Sequence, residues 1–460
     1  MPSTPERAEP VDLAIVGGGL AGLFAVWRAR SAGCVGASVR VLEAAPRPGG
    51  VVATIADSGF RFERAASTIR GAALELLTAI RELGLADELV AASPLAKRRW
   101  VAHRGRLLPA PGGPLSFLFS PLLSVGAKLR MAQEPFVAEA AARKDETLAS
   151  FVARRFGAGF ADPLFDAVVT GIFAGDSTRL EAASAMPRMT ELSAAHGSVL
   201  RGFLAATRQN RKLGLVTHGL FALRGGMESL VARLARELGD ALVCGREVVA
   251  VERVGDQWEL RDAAARVQRA REVVLATPSW VSARLLEPVA PQVARELAAI
   301  ESANVAVVAF GVARSQVGGD VDGLGFLVPG SERSPLLGIL YESSLFPDRA
   351  PAGHVLLRCM VGGERMHLPD DLAAIGELAW REAQRYLDLA GAPVMRHAFL
   401  HRPGIPQYRP GHARGLARID AALAADKNLA GLKLAGWSYR GIALNDRAKE
   451  AVPAERIPGS

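Results

Sequence analysis

"VDLAIVGGGLAGLFAVWRARSAG", residues 11–33, decides how this chain begins to fold. Five of its first six residues are apolar, the pattern of a strand buried on both faces. Glycines follow at Gly17, Gly19 and Gly22, and helix-like sequence runs on to about Arg30. The next apolar run, "ASVRVLE", ends on Glu43 and supplies a second strand, so the opening reads as a βαβ unit. In such a turn the first glycine allows the tight bend, the second lets a pyrophosphate approach the backbone, and the third lets helix and strand pack closely. The helix start at Leu20 and Ala21 adds unpaired N–H groups and about half a positive charge. Glu43, 26 residues after Gly17, is placed to accept hydrogen bonds from ribose hydroxyls and disfavours a 2′-phosphate. The stretch predicts a dinucleotide site.

The bulk composition narrows what surrounds that site. Half of the 460 residues are hydrophobic, enough for one large core or several smaller ones. Charged residues at 22% and aromatics at 6% fit an ordinary globular enzyme. The net charge is +8, and only seven of the 55 basic residues are lysines. The arginines are dispersed and no basic run interleaves with aromatics, so no nucleic-acid partner is expected. Cys34, Cys244 and Cys359 form neither a metal-ligand spacing nor a disulfide framework, which suits a reducing, cytoplasmic compartment. "MPSTPERAEP" lacks the apolar core of a signal peptide. "PLSFLFSPLLSVGA" (114–127) holds two prolines and three serines and is shorter than the roughly 18–20 residues of a membrane span. Shallow membrane contact or the floor of an apolar pocket are its two open roles.

Further along, residues 71–92 read as one helix stopped by Ser93-Pro94. "RRWVAHRGRLLPAP" reads as a hairpin turning at Gly105, and residues 120–210 are helical in period. "NVAVVAFGVA", "GLGFLVPG", "LLGILYESSLF" and "HVLLRCMVGG" read as strands, and "DDLAAIGELAWREAQRYLDLAG" as an amphipathic helix. "HAFLH" has the His397–His401 spacing of a helical metal pair but lies in strand-like sequence with no acidic or cysteine neighbour, so its histidines are read as structural and no metal is expected. A late strand, "LAGLKLAGW", precedes a helix from about Asn445, with Asn445 or Asp446 as its N-cap.

"EAAPRPGG" follows the ribose carboxylate directly. Arg47 and the pair Gly49-Gly50 give a second close backbone approach plus a cation, which suits a cofactor extending past its pyrophosphate into a flavin arm. The pattern resembles that of FAD-dependent amine oxidases and desaturases. In "LKLAGWSYRGIALNDRAKEA" the resemblance implies that Gly436, Trp437, Gly441, Ile442, Ala443 and Leu444 line the cofactor, with the last helix pointing its positive end at the flavin ring. The expected architecture is α/β. A Rossmann-like FAD-binding domain (residues 1–70, 218–290 and 425–460) joins a mixed-sheet substrate domain (71–100 and 291–424) and a mostly helical insertion (101–217).

Over nearly its whole length the chain resembles the oxygen-dependent protoporphyrinogen oxidase family of haem synthesis. The stretches that carry the resemblance are "KRRWVAHRGRLLPAP", "VVTGIFAGDSTRL", "AAHGSVLRG", "FALRGGMESL", "GLGFLVPGSERSPLLGILYESSLFPDRAP", "LLRCMVGG", "PGIPQY" and "GWSYRGIALND". It implies that Arg99 pairs with a substrate propionate, that the backbone at Gly171 approaches the macrocycle, and that Leu327, Leu340 and Met360 sandwich the substrate. It also implies that the Val248 backbone meets the adenine. No catalytic side chain is implied, because flavin N5 accepts the hydride. The activity implied is three two-electron oxidations of protoporphyrinogen IX with O2 as acceptor and H2O2 as product. The family also implies a homodimer, attached peripherally to the inner face of the cell membrane.

Coproporphyrinogen III is the alternative substrate, and a flavin amine oxidase, a desaturase or a non-catalytic carrier are the alternative classes. The absence of lysine between Lys212 and Lys427 counts against an amine oxidase. Two departures from the family stand out. "FERAAST" carries Ala65 and Ala66 where the family has glycine and proline, and a positive φ there would cost an alanine about 1 kcal/mol. The last helix is expected to stop early, at Pro453.

Overall fold

The computed structural model describes residues 8–31, 38–137, 143–212 and 219–450. The first of its two seven-stranded sheets gathers distant pieces of chain. Strands Leu242–Cys244, Val39–Glu43, Val11–Val16 and Val267–Leu275 lie side by side and parallel. Gln257–Asp262 and Val248–Val254 continue antiparallel, and Leu432–Leu434 pairs with the far half of Val267–Leu275. The apolar run of the first strand is explained by this placement. Leu13 and Ile15 pack on one side with the helices Leu20–Ser31 and Glu228–Leu238. Ala14 and Val16 pack on the other side with Ser279–Leu286 and Pro291–Ala298.

The second sheet runs in the order Met395–Pro406, Ser302–Ala313, His354–Gly362, Leu336–Tyr341, Gly325–Leu327, Arg99–His103, Arg106–Pro109. Its last two strands are the hairpin read from the sequence. One face packs Phe310, Ile339, Tyr341, Leu357 and Cys359 against the helix Leu372–Gln384. That helix is the backing plate of the sheet and leaves the opposite face for other work.

The described residues between 114 and 212 are largely helical, as their periodicity predicts. Glu134 and Arg155, both wholly buried, pin these helices together. Arg155 Nε donates to Glu134 Oε1 at 2.8 Å. The carboxylate also accepts from the Ser198 hydroxyl at 2.5 Å and from the N–H groups of Val199 and Leu200 at 3.0 and 3.2 Å. Those N–H groups open the helix Val199–Lys212, so the buried charge is satisfied on every side. Among the described residues no helix is long and apolar enough to cross a membrane.

The structure departs from the sequence reading in several places. The helix expected over 71–92 covers only Leu74–Glu82. Gly84 takes a left-handed φ of +73°, and Leu89–Ala91 becomes a strand paired with Leu220–Leu223. A distant pairing partner overrides the local helical period there. The helix Leu444–Lys449 has Ala443 at its cap position, and Asp446 reaches back to accept the Ala443 N–H at 2.9 Å. Asn445 instead ties this helix to Leu74–Glu82, accepting from the Leu76 N–H at 3.0 Å and donating to Glu75 at 2.8 Å. Within the lipophilic stretch, Leu122 and Leu123 are buried while Leu115, Leu118 and Phe119 are exposed. Cys34, the N-terminal seven residues and Pro453 lie outside the described residues.

Replacing one partner of the buried pair strands the other charge. Arg155→Met is expected to lower unfolding free energy by about 3–5 kcal/mol, read from urea denaturation. The double variant Arg155→Met, Glu134→Gln should recover part of that loss.

Candidate functional site

The three glycines of the first turn occupy three different environments. A Cβ on Gly22 would lie 2.0 Å from the Gly17 carbonyl oxygen, so helix and turn touch only because the side chain is missing. Gly17 sits at φ +106° with its virtual Cβ 2.8 Å from the Ala276 carbonyl oxygen. A Cβ on Gly19 would meet nothing within 4 Å. Two glycines are thus demanded by packing, and the middle one faces open space where a phosphate group fits. Leu20 and Ala21 begin the helix that aims its first N–H groups the same way.

Glu43 ends the second strand, 9% exposed. Its Oε2 accepts the Gly18 N–H at 2.6 Å and its Oε1 the Ala45 N–H at 2.8 Å. These bonds fix the carboxylate and leave lone pairs free for ribose hydroxyls. The main chain of Glu43 also accepts the Arg246 N–H at 2.8 Å, two residues before Val248 opens the strand Val248–Val254. The second glycine pair docks on the first loop. The Gly49 N–H donates to the Gly18 carbonyl at 2.8 Å, and Gly50 comes beside Gly19. Arg47 has a bracing role that the sequence did not reveal. Its guanidinium donates to the carbonyls of Pro48, Val52 and Gly50 at 3.0, 3.1 and 3.2 Å, while its charge stays beside the cradle.

The C-terminal arm packs on the first helix, where Arg28 Nε donates to the Ala448 carbonyl at 2.9 Å. Gly436 follows the last strand at φ +134°, a backbone that favours glycine. Its N–H donates to the Glu450 carboxylate at 3.1 Å. Arg447, buried and paired with Glu450, donates to the carbonyls of Arg440 and Gly441 at 2.7 and 2.8 Å. It thereby sets the turn through Gly441, Ile442, Ala443 and Leu444. The Tyr408 hydroxyl donates to the Trp437 carbonyl, and the His412 ring stacks on Tyr408 at 4.2 Å between centroids. His412 Nε2 bonds the Tyr439 carbonyl at 2.9 Å, and burial holds its pKa below the ordinary value.

The "FERAAST" departure carries no backbone strain, because neither Ala65 nor Ala66 has a positive φ. Arg358 secures this loop by donating to the Ala65 carbonyl and, at 2.7 Å, to the Ser67 hydroxyl. Its Nε donates to Glu342 at 2.8 Å. Sequence reasoning missed Arg358, since its partners stand 16 to 293 residues away and no local spacing announces them.

The face of the second sheet turned away from the helix Leu372–Gln384 collects the expected substrate residues. Arg99, Gly325, Leu340 and Arg358 stand in one cross-strand row. Val101, Leu327, Gly338 and Met360 form the row two residues along, and so share that face. Gly171, on the helix Asp166–Phe173, lies against it, with its virtual Cβ 2.7 Å from Leu327 Cδ2. Arg99 is exposed, and its Nε donates a long 3.5 Å bond to the Ala96 carbonyl. No carboxylate lies in ion-pair range of it among the described residues. His397 and His401 stand apart from this face as a clasp. His397 Nε2 is 2.7 Å from Asp57, an acidic partner that the sequence did not show, and His401 bonds the Arg64 carbonyl at 2.9 Å.

A family model described as flavin containing amine oxidoreductase matches residues 20–436. Protoporphyrinogen oxidase of Macaca fascicularis is 32% identical over 467 residues, covering 94% of this chain and 95% of its own. The chloroplastic protoporphyrinogen oxidase of Oryza sativa is 28% identical, covering 96% and 87%. The chain belongs to the protoporphyrinogen oxidase family. Its cofactor is FAD, which the glycine cradle and the Glu43 carboxylate fit. A solved structure from Exiguobacterium sp. 255-15 superposes with a TM-score of 0.78 at 24% identity, covering 97% of both chains. Putrescine oxidase superposes with a TM-score of 0.67 at 16% identity, again over 97% of both. These two likenesses establish the mixed α/β fold.

Two outcomes follow from this geometry. Glu43→Gln, which removes the charge but keeps the shape, is expected to weaken FAD binding about tenfold, measured by quenching of flavin fluorescence on titration of the apoprotein. His401 and His412 are both held below their ordinary pKa by burial. Their neutral forms are favoured in the fold, so their contribution is present above about pH 6.5 and is lost as pH falls toward the folded values. Tm should drop between pH 7.5 and pH 5.5, roughly one unit either side of that value, and His412→Gln should flatten the drop.

Proposed function

We propose that this protein oxidises protoporphyrinogen IX to protoporphyrin IX in three two-electron steps, with O2 as acceptor and H2O2 as product. The observation that carries the reading is the shared face: an apolar wall of Leu327, Leu340 and Met360, Gly171 facing it, and the uncommitted cation Arg99 at the rim. A flat macrocycle fills such a slot, and a propionate reaches the guanidinium. Bound flavin supplies the two-electron acceptor. The chain's own residues position the substrate and exclude water; the driving force is the conjugation gained by the ring. No side chain need act as acid or base.

In the same reading Gly17, Gly19, Leu20, Ala21, Gly22, Glu43, Arg47, Gly49, Gly50 and Val248 hold the nucleotide half of FAD. Gly436, Trp437, Gly441, Ile442, Ala443 and Leu444 border its flavin half. The first sheet then serves as the FAD domain, the second as the substrate domain and residues 101–217 as the helical insertion. Coproporphyrinogen III carries four propionates and would call for further free cations on the face. Arg358, the other guanidinium there, is committed to Glu342, Ala65 and Ser67, which favours the two-propionate substrate.

The helical insertion exposes Leu115, Leu118, Phe119, Val125, Leu129 and Phe136 at 57–82%. Lys128 and Arg201 stand among them, the latter over the Phe136 ring. Apolar side chains with basic neighbours suit peripheral contact with an anionic membrane surface. The homodimer and the cytoplasmic face of the membrane complete the reading on family resemblance.

Arg99→Ala is expected to raise KM for protoporphyrinogen IX at least about tenfold with kcat little changed, as loss of a charged hydrogen bond requires. Porphyrin fluorescence with parallel O2 consumption measures both constants. A KM within about twofold of wild type would remove the propionate assignment. Run side by side, coproporphyrinogen III should show the lower kcat/KM.

A further inference from the structure

Three elements wall the slot described above: the helix Asp166–Phe173 with Gly171, the strand Gly325–Leu327 with Leu327, and the strand His354–Gly362 with Met360. They come from distant parts of the chain, and one side chain binds all three. Arg365 lies in the turn Gly363–Arg365 that leaves the Met360 strand. Its Nη1 donates to the Val328 carbonyl at 3.0 Å, immediately after Leu327. Its Nη2 donates to Asp166 Oδ2 at 3.0 Å and to the Thr170 hydroxyl. Asp166 and Thr170 are one turn apart on the same face of the helix, and Gly171 follows Thr170 directly.

A fourth bond completes the frame. The Gly330 N–H donates to Asp166 Oδ2 at 2.6 Å, so the loop beyond Leu327 is held to the helix from its other side. The Arg365 and Asp166 side chains are each only 17% exposed. A planar fork with fixed donor directions transmits position in a way that a flexible point charge does not. A Cβ on Gly171 would stand 2.7 Å from Leu327 Cδ2, so the helix closes that end of the slot, and a small shift of it changes how much of the face is left open to a ligand.

We propose that Arg365 is a positioning residue that sets the width of the substrate slot by locking the Gly171 helix to the Leu327 and Met360 strands. It touches neither flavin nor substrate; it acts through Asp166, Thr170 and the Val328 carbonyl. The proposal rests on the reading of this face as the porphyrinogen site.

The test compares wild type, Arg365→Met and Arg365→Lys as purified holoenzymes. FAD content is read from flavin absorbance near about 450 nm, and folding is read from Tm. KM and kcat are taken with protoporphyrinogen IX, and binding of the product porphyrin is followed by its absorbance shift. For Arg365→Met the expected result is KM raised about tenfold and porphyrin binding weakened to match, with kcat within about twofold and FAD content unchanged. Arg365→Lys, which keeps charge without the fork, should fall between. Lower Tm or FAD content with unchanged KM in the folded fraction would make Arg365 merely structural and overturn the proposal. So would failure of both variants to fold. A wild type that neither oxidises the porphyrinogen nor binds the porphyrin would sink the functional reading itself, a result distinct from unchanged KM in the variants of an active enzyme.

Discussion

The structure depends on a missing side chain at Gly22. The first helix can begin where it does only because nothing stands between Gly22 and the Gly17 carbonyl. That close approach fixes the helix axis over the first strand, and the axis fixes where its N–H groups point. The carboxylate of Glu43 is then set by a bond from Gly18 in the same turn. The second glycine loop is set by another bond to Gly18. Packing, charge and backbone donors therefore reach the cofactor as one rigid unit, and the rest of the chain is arranged around where that unit leaves its ligand.

The second sheet is built on the opposite logic. Its face is defined by cross-strand register, and its walls are joined by guanidinium groups. Arg358 ties the sheet to the loop after Glu63, and Arg365 ties it to the Gly171 helix. Arginine suits both tasks because its donors point in several fixed directions at once. Buried or half-buried, each such group costs desolvation that only several good partners offset. The arginines, dispersed along the sequence, supply much of the internal framework.

How much of this was legible beforehand varied with the range of the interaction. The glycine turn, the strand-end position of Glu43 and the hairpin at Gly105 were readable because their geometry is local. The grouping of Leu327, Leu340 and Met360 came only through resemblance to a family, since they look like ordinary core when taken alone, and cross-strand register sets them on one face. Leu89–Ala91 was misread as helix because its partner lies far along the chain. The bracing role of Arg47 and the joints at Arg358 and Arg365 left no periodic trace. The alanines at 65 and 66 looked like a defect, but the backbone they occupy is one that alanine adopts without strain.

The short strand Leu432–Leu434 completes the same sheet that Val11–Val16 begins, and in the proposed assignment the arm beyond it roofs the cofactor. A growing polypeptide that has emerged only as far as Leu275 has most of the parallel core in hand but no roof. On that assignment, full enclosure of the nucleotide waits until the segment around Gly436 has been synthesised. Cofactor insertion would then be a late event of biogenesis, separate from the collapse of the first sheet.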